Sequence, residues 1–141
     1  MKASNGTELV EIKSKDFHGM QNLELLYLNN NNLKSVPLDA FASLTKLIHI
    51  SLDSNQIEEL PNGIFEKNLQ LEDIILSNNN IKYIGAELFT DLGMSLMFVN
   101  LEGNICINEF YSVFRRKLIQ LNEDIKMNCQ KPDEVPATTT T

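Results

Sequence analysis

One spacing recurs four times along this chain of 141 residues and limits its fold more than any other feature. Leu23, Leu26, Leu28, Asn31 and Leu33 return 24 positions later as Leu47, Ile50, Leu52, Asn55 and Ile57. They return again as Leu71, Ile74, Leu76, Asn79 and Ile81, and a fourth time as Leu96, Val99, Leu101, Asn104 and Cys106. A unit this short cannot bury its apolar edge alone, so such units stack into a solenoid. A stack of that kind presents a broad surface instead of a deep pocket, which places recognition ahead of catalysis.

Inside each unit, residues two apart share a face, as in an extended strand. Leu26 and Leu28 therefore point inward with Tyr27 outward between them. The same reading holds for Ile50, Ser51 and Leu52, for Ile74, Ile75 and Leu76, and for Val99, Asn100 and Leu101. After each strand the chain must turn, and its backbone polar groups cannot be buried unpaired. An amide side chain both donates and accepts, so Asn31, Asn55, Asn79 and Asn104 are expected to be scaffold. Phe17, Phe41, Phe65 and Phe89, each 24 apart, form a second column whose rings belong to the core. Pro37 and Pro61 follow apolar Val36 and Leu60 and stiffen the return path.

The spacing L-x-x-L-x-L-x-x-N-x-L, with this Phe column, resembles the leucine-rich repeat family over roughly residues 5 to 130. The 24-residue unit is similar to the type found in extracellular animal proteins. The resemblance implies an α/β solenoid: a right-handed superhelix with a short parallel β-sheet on its concave face and an irregular or 3-10 convex side. It also implies a stacked Asn ladder and a C-terminal capping helix. The expected divisions are a partial first repeat at 1–22, repeats at 23–104, a cap at 105–131 and a flexible Thr- and Pro-rich tail at 132–141.

Beyond Leu101 the pattern changes. Asn108 reads as a helix N-cap with Glu109 in the first turn, and Phe110, Phe114, Leu118 and Leu121 follow at helical spacing. Arg115, Arg116 and Lys117 then fall on a solvated face of that helix. Cys106 and Cys129 bracket it. They are either two reduced thiols or one bridge pinning the cap to the last coil. The family's cysteine-bearing flank favours the bridge, although many members carry four cysteines there and this chain carries two. Asn5-Gly6-Thr7 is an N-glycosylation acceptor, in keeping with secretion. The expected setting is a secreted protein or the extracellular part of a larger one, and the initial Met is expected to precede an excised piece.

The formal net charge of -7 argues against binding a phosphate backbone, so nucleic acid is not an expected partner. No Gly-rich phosphate loop is present, and neither a cofactor nor a metal is expected. No apolar run approaches the roughly 20 residues that span a bilayer, so membrane insertion of this segment is not expected.

If the strands line the concave side, two outward columns follow: Leu25, His49, Asp73 and Phe98, then Tyr27, Ser51, Ile75 and Asn100. Ile48 and Met97 flank them. Leu25, Tyr27, Ile48, Ile75, Met97 and Phe98 place apolar and aromatic surface where no core requires it, and Glu24, Asp53, Glu72, Asp73 and Glu102 form an acidic rim. Such patches mark interaction sites. The expected partner is a protein with basic and apolar groups, as in immune recognition, adhesion or receptor signalling. Alternatively Leu25 and Phe98 pack under a cap or neighbouring coil. A different expectation is an assembly segment that pairs through its N-terminal edge, around residues 5–28. Ser51, His49 and Asp73 together evoke a hydrolytic triad. Residues i and i+2 lie nearly 7 Å apart on a flat strand, however, which argues against that triad and against an enzyme.

Overall fold

A computed structural model describes residues 9–92, 94–112 and 117–132. In chain order its elements are β1 (Leu25–Tyr27), β2 (His49–Ser51), β3 (Glu59–Leu60), β4 (Asp73–Ile75) and β5 (Tyr83–Ile84). A 3-10 turn (Thr90–Leu92), β6 (Phe98–Asn100), β7 (Phe110–Ser112) and α1 (Lys117–Asn128) follow. Strands β1, β2, β4 and β6 form one parallel ribbon in which Leu26, Ile50, Ile74 and Val99 share a register. All four of these residues are fully buried. Leu28, Leu52 and Leu76 carry the ladder on, their N–H groups donating to Ser51 O, Ile75 O and Asn100 O at 2.8 Å each. The fold is therefore a leucine-rich repeat solenoid.

The Asn column does what an amide in that position can do. Asn55 Nδ2 donates to Leu28 O and Leu52 O at 3.0 Å, while its Oδ1 accepts from Leu33 N at 3.0 Å. Asn79 repeats this one coil on, with Leu52 O, Leu76 O and Ile57 N. Asn104 closes the column on Leu76 O, Leu101 O and Ile81 N. Asn31 opens it on Leu28 O and accepts from Leu9 N. Just before each rung, Asn30, Ser54, Asn78 and Gly103 take a left-handed backbone, with φ of 59°, 58°, 57° and 74°. This kink turns the chain inward, and small polar residues or glycine tolerate it best. On the outer side Phe17, Phe41, Phe65 and Phe89 are all buried. Neighbouring rings in the column stand about one strand spacing apart, at 6.0 Å for Phe17–Phe41 and 6.1 Å for Phe41–Phe65.

Beyond the longer last unit, which the step from Leu71 to Leu96 already implies, two features depart from the sequence-based expectations. The last unit is one residue longer: Asp73 pairs with Phe98, where His49 pairs with Asp73. Ser95 anchors the longer loop, its hydroxyl donating to Leu69 O and Leu71 O. The outer side is not wholly irregular, because β3 and β5 pair in parallel there. Most importantly, residues 110–112 are a strand and not helix. β7 turns back antiparallel to β6, pairing Tyr111 with Val99. Helix α1 spans Lys117–Asn128, on the far side of β7 from Asn108, which does not cap it. The Asn108 Oδ1 instead accepts from Gly103 N at 2.7 Å. The physical reason is the open edge of β6, whose backbone groups gain partners from a returning strand. Alternation also suits this strand: Tyr111 is buried while Phe110 and Ser112 face outward. Phe114, Arg115 and Arg116 lie outside the described residues, as do Asn5 and the tail from 133.

Helix α1 covers the end of the stack through Leu121 and Ile125, and Cys106 and Cys129 are joined. The buried Tyr111 hydroxyl donates to Asp124 Oδ2, tying β7 to the helix. Burial first, and then the Asp124 carboxylate, push the Tyr111 pKa far above its usual value, so this phenol stays a donor. Past the helix, Cys129 O accepts from Ile84 N at 3.0 Å, and the chain runs beside β5. Here Gly85 meets the preceding coil so closely that an added Cβ would stand 2.5 Å from Asn62 N. Gly85→Ala should therefore destabilise the chain by roughly 1–3 kcal/mol through overpacking. Thermal unfolding reads this directly, and an unchanged midpoint would mean that these two coils are farther apart.

Candidate docking face

The outward columns lie where strand alternation puts them. Leu25, His49, Asp73 and Phe98 are successive Cα partners across the ribbon, as are Tyr27, Ser51, Ile75 and Asn100. Leu25 is exposed, while Tyr27, His49, Asp73, Ile75, Phe98 and Asn100 are half-buried. Ile48 and Met97 are half-buried at one margin and Asp53 at the other. Ser51 departs from expectation: at 6% exposure it is buried. The smallest side chain of its column, it lies beneath the ring of His49, to which it is hydrogen-bonded.

Two aromatic pairs frame the face. Tyr27 and His49 stand 5.1 Å apart by ring centroid on β1 and β2. At the other end Phe98 meets Phe110 at 5.8 Å. Sequence reasoning missed Phe110 by placing it on a helix; only the turn before β7 brings it to the sheet. Phe98 is thus partly covered by the returning strand, in the manner of the packing alternative, yet it stays half-buried beside a more exposed ring.

Between the pairs runs a polar chain. His49 Nε2 lies 2.7 Å from Ser51 Oγ, and His49 Nδ1 lies 3.4 Å from Asp73 Oδ2. The expectation that the i, i+2 spacing keeps serine and histidine apart is thus wrong. Cα separation does not bound side-chain reach, and the long His49 side chain leans along the strand over the short Ser51. In a neutral imidazole, a proton on Nδ1 would face Asp73 and leave Nε2 to accept from the Ser51 hydroxyl. Chemically this resembles a relay, but its serine is buried and its proton is already committed. The surrounding N–H groups are engaged too, Leu28 N on Ser51 O and Leu52 N on Ile75 O.

Charge is one-sided on this surface. The stretches 24–30, 48–54, 72–78 and 97–103 contain Glu24, Asp53, Glu72, Asp73 and Glu102 and no Lys or Arg. Cations sit elsewhere, in pairs such as Lys82 with Glu58 and Lys131 with Glu59. Among the described residues no group of three or more His, Cys, Asp or Glu side chains could hold a metal ion. None of their helices is long and apolar enough to cross a membrane.

Known proteins place this architecture. Human Toll-like receptor 5 is 42% identical to this chain over 53 residues, which are 38% of the chain and 6% of the receptor. The leucine-rich repeat domain of APL1B superposes with a TM-score of 0.67 at 29% identity, covering 71% of this chain and 29% of that one. Toll in its complex with Spatzle from Drosophila gives 0.63 at 26% identity, covering 65% and 12%. TLR13 in complex with ssRNA13 gives 0.65 at 29%, covering 69% and 14%. The chain thus spans a small part of each of these proteins. A leucine-rich repeat model matches residues 4–57 and again 49–105. With matches across most of its length and an unbroken Asn ladder through the stack, the chain belongs to the leucine-rich repeat family.

Proposed function

We propose that this segment is a protein-recognition module that docks a basic and apolar partner on its strand-lined concave face, within the extracellular part of a larger receptor-like protein. One observation carries the reading: a ribbon whose inward residues are fully buried shows outward two aromatic pairs and a run of carboxylates, with no Lys or Arg among the described residues of its four strand stretches. Aromatic anchors with a polar rim are the composition of energetic centres in protein interfaces. The same charge pattern opposes a phosphate backbone, which is gripped by Lys and Arg. Protein therefore suits the face better than RNA, even though one solved neighbour is a complex with ssRNA13. The extracellular setting is supported by likeness to Toll and Toll-like receptors and by the Cys106–Cys129 bridge, since such bridges persist in oxidising compartments. Binding, not acyl transfer, is the role we assign to His49 and Ser51.

Peptides selected against the chain from a random displayed library supply the test. Combining Tyr27→Ala with Phe98→Ala should weaken their binding by about 30-fold or more, the scale of losing central aromatic anchors. Lys67→Glu, an exposed change on the outer side, should leave it intact. Binding that tolerates the double change and fails with Lys67→Glu would put the docking surface on the wrong side.

A further inference from the structure

We propose that Asp73 receives a single arginine of the docked protein, beside a His49 ring fixed by Ser51 and with the flanking rings framing the guanidinium. This rests on the concave face being the docking surface and adds the chemistry of its central contact.

Asp73 sits mid-ribbon, in register with His49 on one side and Phe98 on the other. Its side chain is 31% exposed, so part of its hydration is already lost. Among the described residues its one polar side-chain contact is His49 Nδ1 at 3.4 Å, near the outer limit for a hydrogen bond. No described Lys or Arg forms an ion pair with it, and the outward surface of the ribbon supplies none. A partly desolvated carboxylate with so weak an internal partner gains most from a charge-assisted donor.

The neighbours specify which cation. A guanidinium is planar, weakly hydrated and able to stack on aromatic faces while forking onto a carboxylate, whereas an ammonium is a compact and strongly hydrated point charge. Asp73 is approached between the Tyr27–His49 ring pair and the Phe98–Phe110 pair, with Ile75 as apolar floor on its own strand. The site is also pre-ordered. Ser51 is buried and fixes His49, which lies against Tyr27 beside Asp73, so little freedom of the imidazole remains to be lost on docking.

The test uses the whole chain with N-acetyl-arginine amide as probe and N-acetyl-citrulline amide, its neutral near-isostere, as control. The His49 imidazole resonances are followed by NMR. The arginine amide should shift them saturably at millimolar concentration, the citrulline amide should not, and Asp73→Asn should weaken the arginine response at least about tenfold. Equal responses to the two amides, no response to either, or an undiminished response in Asp73→Asn would overturn the proposal. The selected peptides separate this from the broader reading. If they depend on Tyr27 and Phe98 but tolerate Asp73→Asn, the docking face stands and the arginine contact falls. If they ignore Tyr27 and Phe98, the docking face itself falls.

Discussion

Asn79→Ala should lower the melting temperature by roughly 10 °C, more than the last rung of the amide ladder, Asn104→Ala. The Asn79 side chain serves three backbone groups: it donates to Leu52 O and Leu76 O and accepts from Ile57 N. The residue is only 5% exposed, so water cannot replace those bonds. Each buried group left unpaired costs about 1–3 kcal/mol, and three such losses in one coil sum to at least about 3 kcal/mol. Position decides the ranking. Asn104 makes the same set of contacts but is only half-buried at the end of the stack, so Asn104→Ala should cost less. Exposed Asn80, the next residue along, should tolerate alanine with little change. Calorimetry on the three variants reads the order. Equal shifts for Asn79→Ala and Asn80→Ala would show that the buried ladder contributes no more than an exposed amide in contact with water.

How much of this was legible in the residues follows from where each signal comes from. The ribbon, its register and the amide ladder were readable because burial repeats: Leu26, Ile50, Ile74 and Val99 recur at nearly constant spacing, and only stacking satisfies all of them. The outward columns follow from the same alternation. The cap was less readable because its pattern occurs once. Phe110, Phe114, Leu118 and Leu121 fit helical spacing, and nothing local to Phe110 says that β6 has an open edge to fill. That requirement is tertiary and overrides local preference. The β3–β5 pair was hidden for a similar reason, since two-residue strands such as Glu59–Leu60 leave too short a run to show alternation. The contact between His49 and Ser51 is hidden from backbone spacing alone, because the imidazole spans the gap. Their relation to Asp73 is visible as a matter of register; its consequence for charge needs the whole face, on which no Lys or Arg appears among the described residues.

Opening the Cys106–Cys129 bridge should unfasten one end of the molecule and leave the rest. The bridge closes a loop with a sequence separation of 23 residues. In the chain-entropy picture, losing such a link costs about 3 kcal/mol. What it fastens is specific. Cys129 O accepts from Ile84 N, and Gln130 Nε2 donates to both Ile84 O and Ile125 O, so the segment after α1 is sewn to β5. Lys131 Nζ continues that seam 2.8 Å from Glu59 Oε2. In a solenoid each unit leans only on its neighbours, so damage stays near where it is made. The Cys106→Ser, Cys129→Ser double variant should therefore lose hydrogen-exchange protection in α1, β7 and at Ile84 N, while the Leu28 and Leu52 N–H groups, in the first two coils, keep theirs. An even loss across all coils would mean that the stack unfolds as one unit and the cap is no separate latch. Unaltered exchange at Ile84 would mean that the seam, not the bridge, holds the helix down.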